Sequence, residues 1–324
     1  MNTISDQNSS VLSVGFCGSG EYSVRCADAL ATNEKFQISW VVTPPPRPAG
    51  RGKKLQASAL QLWAEERQIP VSQVESGLGA LRPTLHELPK IQYLLVVSFG
   101  YLIPEWLLEL PEIAPVNVHP STLPQYRGSS PGQFALLYGE TESSVSIMTM
   151  NAKFDEGAII TRLPFSLEAT ETQTSYYDRA FELASQKLAT TLLEYSETRH
   201  VTPQPEPPEN AVLARRLSRE DGFLPYEFLQ KAQEIGSQVA REHVTSELSP
   251  AVQELIQHQP NLTLAETVDR AVRALTPWPG VWTIVPSYKD KTNVRLKIWE
   301  TAITPQGNAK LVALQYEGEP KKTQ

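Results

Sequence analysis

Two stretches decide the fold, "IQYLLVVSFG" (residues 91–100) and "APVNVHP" (residues 114–120). The first is a continuous apolar run, the pattern of a strand covered on both faces rather than of one that alternates against solvent. Such a strand needs helices on each side, and the flanking sequence supplies them. Upstream, "VLSVGFCG" (11–18) and "FQISWVVT" (36–43) read as strands, separated by a segment with Val24, Ala27 and Leu30 at helical spacing. "SALQLWAEERQIP" (58–70) reads as a helix ended by Pro70. Downstream come the strand "SVSIMTMN" (144–151) and a long helix with Tyr177, Phe181, Ala184, Leu188 and Leu192 on one stripe. Strands alternating with helices predict parallel βαβ units in an open α/β sheet.

A composition break follows at "VTPQPEPPEN", residues 201–210, proline-rich, acidic and without periodicity. It reads as an interdomain linker. Beyond it lie a helical region from about Tyr226 to Leu275, the turn "TPWPG", and the short strands "GVWTIVP", "NVRLKIWE" and "KLVALQYE". The expected organisation is therefore a Rossmann-like domain over 1–200, a linker over 201–210, and a smaller domain over 211–324 with helices and a small barrel or sandwich.

A chain of 324 residues suits two such domains. Its net charge of −7 offers no global attraction for nucleic acid, so any such contact must be local. Cys17 and Cys26 read as two small buried side chains of a reducing compartment. No run of about 18 apolar residues could cross a membrane. The opening "MNTISDQNSS" lacks the pattern of a signal peptide or presequence, so a cytoplasmic location and a monomer are expected.

The chemistry is concentrated at the end of the second decisive run. In "NVHPSTLPQYRGSSP" (117–131), Asn117 and His119 are two apart on a strand, so they leave the same face. Ligands in open α/β sheets bind outside the carboxyl ends of strands. An amide and an imidazole there suit the stabilisation of an oxyanion, and the imidazole can also carry a proton. The ordinary alternative is a strand-end histidine tied to backbone. Against it, His86, His200, His243 and His258 all fall in helical or linker contexts, and Pro120, Pro124 and Gly128 stiffen the loop after His119. A carboxylate to orient the ring is offered by "MNAKFDEGAII" (150–160), which places Asp155 and Glu156 in a loop at the same kind of sheet edge. The residues alone do not choose between those two.

These two segments resemble the signature of the folate-dependent formyltransferases. The resemblance implies a catalytic triad of Asn117, His119 and Asp155, with 10-formyltetrahydrofolate as co-substrate and no metal. It further implies folate contacts at Ser121, Thr122, Leu123 and Pro124, with Phe99, Gly100, Tyr101 and Leu102 lining the same pocket. The stretch "TPPPRPAGRGKKLQASAL" (43–60) is an exposed loop carrying Arg47, Arg51, Lys53 and Lys54. It is similar to the insertion of the branch of the family that acts on initiator methionyl-tRNA, which makes that tRNA the expected acceptor and partner. "ARRLSREDGFLPY" and "VRALTPWPGVWTIV" resemble the same branch, which implies an OB-like β-barrel for the second domain, and Lys289, Lys291, Arg295 and Lys297 are further candidates for phosphate contact. Departures are Pro46 in place of an aspartate, the first turn "GSGEY", and a longer helical segment over about 226–264.

Three rivals were weighed. A nicotinamide oxidoreductase is suggested by Gly15, Gly18 and Gly20, but their spacing is not G-x-G-x-x-G, and the second strand ends in Val42-Thr43 without an acidic residue. A decayed RNA-binding module would not be expected to keep Asn117, His119 and Asp155. A hydrolase of the formyl-folate would have no use for the basic loop.

Overall fold

The computed structural model describes residues 11–49, 54–209, 211–236, 239–286 and 293–323. Its elements are, in order, β1 (Leu12–Gly18), α1 (Glu21–Ala31), β2 (Phe36–Thr43), β3 (Arg47–Ala49), β4 (Lys54–Gln56), α2 (Ala59–Glu66), β5 (Val71–Gln73), α3 (Arg82–Glu87), β6 (Tyr93–Val97), α4 (Glu105–Leu108) and β7 (Ala114–His119). There follow β8 (Arg127–Gly128), α5 (Pro131–Tyr138), β9 (Glu142–Thr149), β10 (Ile159–Ser166), α6 (Gln173–Thr198), β11 (Leu213–Ala214), α7 (Tyr226–Gln233), α8 (Pro250–His258), α9 (Leu264–Leu275), β12 (Val281–Pro286), β13 (Asn293–Ile303), β14 (Ala309–Tyr316) and β15 (Lys322–Thr323). Among the described residues no helix is long and apolar enough to cross a membrane.

The chain forms two compact units that are not simple consecutive halves. Of the described residues, one unit holds those up to Arg127 with Ser144–Pro164 and Asp178–Ala211, and the other holds Gly128–Ser143, Phe165–Tyr177 and those from Val212 onward. The last crossover, at Ala211/Val212, falls just beyond the segment read as a linker. That segment is itself tied down at its start, where Thr202 and Ile159 exchange backbone hydrogen bonds of 2.8 Å.

A seven-stranded sheet runs in the order β10-β9-β7-β6-β1-β2-β5. Strands β1, β2, β5, β6 and β7 pair in parallel. All five residues of β6 are buried, as a strand covered on both faces requires. From β1 the chain winds outward to β5, then returns to lay β6 against the other side of β1. That reversal makes the carboxyl ends of β1 and β6 the topological switch point, beside which ligands usually bind in such sheets.

Close packing accounts for the glycines of β1. A Cβ on Gly15 would lie 2.3 Å from the buried Trp40 ring, and one on Gly18 would lie 2.6 Å from Ser23 Oγ, which itself donates to Val97 O at 2.7 Å. Strand β2 thus packs at Gly15 and helix α1 at Gly18, where these residues lack side chains. Cys17 and Cys26 are both buried and free, and burial pushes both thiols up, Cys26 to about 12.

In the second unit, β12, β13, β14 and β15 pair antiparallel in sequence order. No strand pair that closes them into a barrel is recorded among the described residues. Helix α9 packs on β13 and begins with a capping box, in which Thr263 Oγ1 accepts from Glu266 N and Glu266 Oε2 accepts from Thr263 N. Asp221 anchors the entry to this unit through Arg215 Nη2, which donates to Asp221 Oδ1 at 2.6 Å.

Candidate active site

Alternation along β7 puts Asn117 and His119 on one face, with His119 as the last residue of the strand. His119 is 5 % exposed. Its Nε2 lies 3.0 Å from Tyr126 O. A carbonyl only accepts, so Nε2 carries the proton in that contact and Nδ1 is turned the other way. Nδ1 faces Asp155 Oδ2 at 3.7 Å, and Asn117 Nδ2 donates to Asp155 Oδ1 at 3.5 Å. One carboxylate thus spans the amide and the imidazole. Both contacts are long for hydrogen bonds.

Glu156 takes another direction, 3.4 Å from Arg127 Nη1 and 3.3 Å from Lys153 Nζ. The two acidic neighbours left open by the residues alone therefore have separate partners.

Asp155 lies in the loop after β9 as expected, but that loop does not start at the sheet edge where His119 ends its strand. Strand β9 runs antiparallel to β7, with Thr149 opposite Val116 and Ser146 opposite His119. The turn after β9 accordingly starts low on β7, where Met150 N donates to Pro115 O at 2.9 Å. It must double back to reach His119. That reversal holds Asp155 at a φ of +53°, unusual for a residue with a side chain. It also brings Gly157 so near β9 that a Cβ there would lie 1.7 Å from Thr149 O. Strained backbone of this kind persists only where its surroundings over-determine it.

Gln204 contributes to that support. Its Nε2 donates to Asp155 O and to Gly157 O, each at 2.8 Å. Its Oε1 accepts from Arg127 Nε at 3.2 Å and Nη2 at 2.8 Å. The sequence reading missed this residue; its only signal was an amide side chain within an otherwise proline-rich and acidic stretch.

The loop after His119 is fixed from inside. Ser121 and Leu123 are buried, Ser121 Oγ donates to Gln125 O at 2.8 Å, and Ser146 Oγ donates to Ser121 O at 2.7 Å. Arg162 Nη2 holds Leu123 O at 3.0 Å, just before the cis Leu123–Pro124 bond. Thr122 is exposed and Pro124 half-buried, so these two present the loop's outer surface. The stretch after β6 sets the Phe99 and Tyr101 rings 5.1 Å apart, leaves Gly100 exposed and leaves Leu102 72 % exposed.

The basic loop is an antiparallel pair at its base, with Arg47 opposite Gln56 and Ala49 opposite Lys54. Arg47 and Lys54 are exposed, while Arg51 and Lys53 lie outside the described residues. In the second unit Arg295 stands over the Trp282 ring at 4.5 Å, and Lys297 over Trp299 at 5.9 Å. Lys289 and Lys291 also lie outside the described residues.

Residues 13–192 match the family described as formyl transferase, and residues 263–318 match the formyl transferase C-terminal domain. The chain belongs to the formyl transferase family. A methionyl-tRNA formyltransferase from Paramagnetospirillum magneticum is 30 % identical over 294 residues, 91 % of this formyl transferase and 83 % of the relative. Among solved structures, methionyl-tRNA formyltransferase from Clostridium thermocellum superposes with a TM-score of 0.54 at 14 % identity, over 94 % of this chain and 98 % of that one. The N-formyltransferase of Helicobacter canadensis, solved with folinic acid and dTDP-3-aminofucose, gives 0.56 at 16 % identity, over 90 % and 87 %. At such identities the two structures establish a shared fold and leave the acceptor open.

Proposed function

We propose that this formyl transferase moves the formyl group of 10-formyltetrahydrofolate to the α-amino group of initiator methionyl-tRNA, as a cytoplasmic monomer serving translation initiation. The convergence of Asn117, His119 and Asp155 on one face of β7 carries the chemistry, and the 30 % identity to a methionyl-tRNA formyltransferase over 91 % of the chain carries the acceptor. Members of the family draw on formyl-tetrahydrofolate.

The residues present suit that donor. Its flat aromatic head matches the rings of Phe99 and Tyr101, the exposed Leu102 and the outer loop face formed by Thr122 and Pro124. When the amine attacks the formyl carbon, negative charge develops on the formyl oxygen. Asn117 Nδ2 has two N–H donors and Asp155 takes one, which leaves one for that oxygen. His119 is the proton carrier as the attacking amine gives up a proton and the departing folate nitrogen takes one, and Asp155 beside Nδ1 holds the ring in place. In this reading the part up to about residue 200 carries the chemistry. Arg47, Arg51, Lys53 and Lys54, with the part from residue 211, contact the tRNA backbone.

The test is a formyl-transfer assay with 10-formyltetrahydrofolate, offering charged initiator methionyl-tRNA, glycinamide ribonucleotide and water in parallel. Rapid formylation of the tRNA alone is expected, with Asp155→Asn slower by at least about a hundredfold. Transfer only to the small amine or to water would overturn the acceptor. Full activity in Asp155→Asn would overturn the triad.

A further inference from the structure

The side chain of Gln204 is used up at one place. An amide nitrogen offers two N–H donors, and both are spent on main-chain carbonyls of the Asp155 turn, those of Asp155 and Gly157 at 2.8 Å each. Its oxygen offers two lone pairs, and both face Arg127, at 3.2 and 2.8 Å. A longer contact of 3.9 Å to Met148 Sδ lies on the strand that pairs with Asn117. Arg127 in turn meets Glu156 at 3.4 Å, so the three consecutive residues Asp155, Glu156 and Gly157 are held by one linked set of bonds.

The turn needs such a hold. Asp155 sits at a φ of +53° and Gly157 is pressed against Thr149 O, so the backbone is not in a conformation it would choose unaided. The anchor for Gln204 is local too. Thr202, two residues earlier, is bonded in both directions to Ile159, just beyond the turn. The proline-rich stretch thereby closes over the turn in register with it.

We infer that Gln204 is a positioning residue of the formyl-transfer site: with Arg127 it fixes the carboxylate of Asp155 over Asn117 and His119. The inference rests on the catalytic reading of Asp155 given above and adds a residue that touches neither substrate. A misplacement of about 1 Å at a reacting centre costs on the order of a hundredfold in rate, so an anchor of this kind should be visible in turnover.

Steady-state kinetics of the full chain with 10-formyltetrahydrofolate and charged methionyl-tRNA would test it, in wild type, Gln204→Met, Asp155→Asn, the double variant, and Pro207→Ala as a control in the same stretch. Gln204→Met should lower kcat roughly ten- to a hundredfold with both KM values unchanged. Placed on Asp155→Asn it should cause no further loss, since the carboxylate it positions is already gone. Pro207→Ala should leave turnover as in wild type. An undiminished kcat in Gln204→Met, or the same proportional loss with and without the Asp155 carboxylate, overturns the inference. Full activity in Asp155→Asn instead removes the catalytic reading, and this proposal with it. Should Gln204→Met fail to fold, Gln204→Glu asks the same question, because it keeps the contact with Arg127 and loses the amide donors. Wild-type turnover in that variant would be equally decisive against it.

Discussion

At the scale of single residues, Gly157 shows why the site depends on backbone as much as on side chains. Most glycines tolerate a methyl group where space is open; here the nearest atom is the main-chain Thr149 O, 1.7 Å from the position a Cβ would take. A flexible side chain could swing aside, but a carbonyl fixed in β9 cannot. Gly157→Ala must therefore displace the turn that carries Asp155. We expect a loss of about 1–3 kcal/mol in unfolding free energy from overpacking. The larger loss should be in kcat, on the order of a hundredfold, because the carboxylate two residues away moves with the turn. Gly79→Ala serves as the control, since nothing lies within 4 Å of its added methyl. If urea unfolding and kinetics show Gly157→Ala to be as benign as Gly79→Ala, the account of the turn is wrong. The side chains proposed for the chemistry were readable as candidates in the sequence. Asn117 and His119 declared themselves by period and by position at a strand end, whereas the hold on Asp155 was not legible, because hydrogen bonds to main-chain carbonyls leave no trace in residue spacing.

At the scale of elements, β9 supports the site without supplying a catalytic group. Its buried Ser146 donates to Ser121 O at 2.7 Å and Ser144 reaches Thr122 Oγ1 at 3.0 Å, so the strand holds the loop that follows His119. Removing the hydroxyl in Ser146→Ala leaves the Ser121 carbonyl with Leu123 N at 3.1 Å and the long 3.4 Å contact from Ser144, and takes away its shortest bond. Loss of such a buried bond should destabilise the protein by about 1–2 kcal/mol, read as a shift of the urea midpoint. It should also raise the KM for the folate donor with kcat little changed; the opposite pattern, an intact KM and a reduced kcat, would argue that the loop positions the formyl carbon rather than the folate. Strands β1, β2, β6, β7 and β9 were all readable from apolar runs, but the direction of β9 was not. Apolar content does not report whether a strand enters parallel or antiparallel, and that one unknown moved the start of the Asp155 turn. Strand β10 escaped notice because Pro164 interrupts its pattern, which an edge strand tolerates. The base of the basic loop, β3 with β4, pairs only three residues a side, too few for an alternating pattern to show.

At the scale of the whole molecule, the acidic balance of −7 makes response to pH a property of the fold as well as of the site. Most carboxylates sit on the surface, where protonation changes little. Asp221 is different: it is 2 % exposed and joins Arg215 and the backbone of Ser218 at the entry to the second unit. Burial by itself would raise its carboxyl, but the bonds from Arg215 and Ser218 outweigh that and hold it below the ordinary carboxylate range. A depressed folded value means that the unfolded chain takes up the proton first. The stabilisation is therefore complete above the unfolded carboxylate value of about 4 and is lost as pH falls further, through the folded value. Arg215 is pushed upward, chiefly by its bond to Asp221, and stays charged throughout this window. Melting temperatures recorded from pH 7 down to about pH 3 should therefore fall more steeply in wild type than in Asp221→Asn. The variant should start lower at pH 7, because Arg215 has lost its charged partner, and the two curves should converge as the wild-type carboxylate is protonated. Parallel curves would mean that acid acts on this protein through other carboxylates and that the Arg215–Asp221 pair contributes equally at every pH.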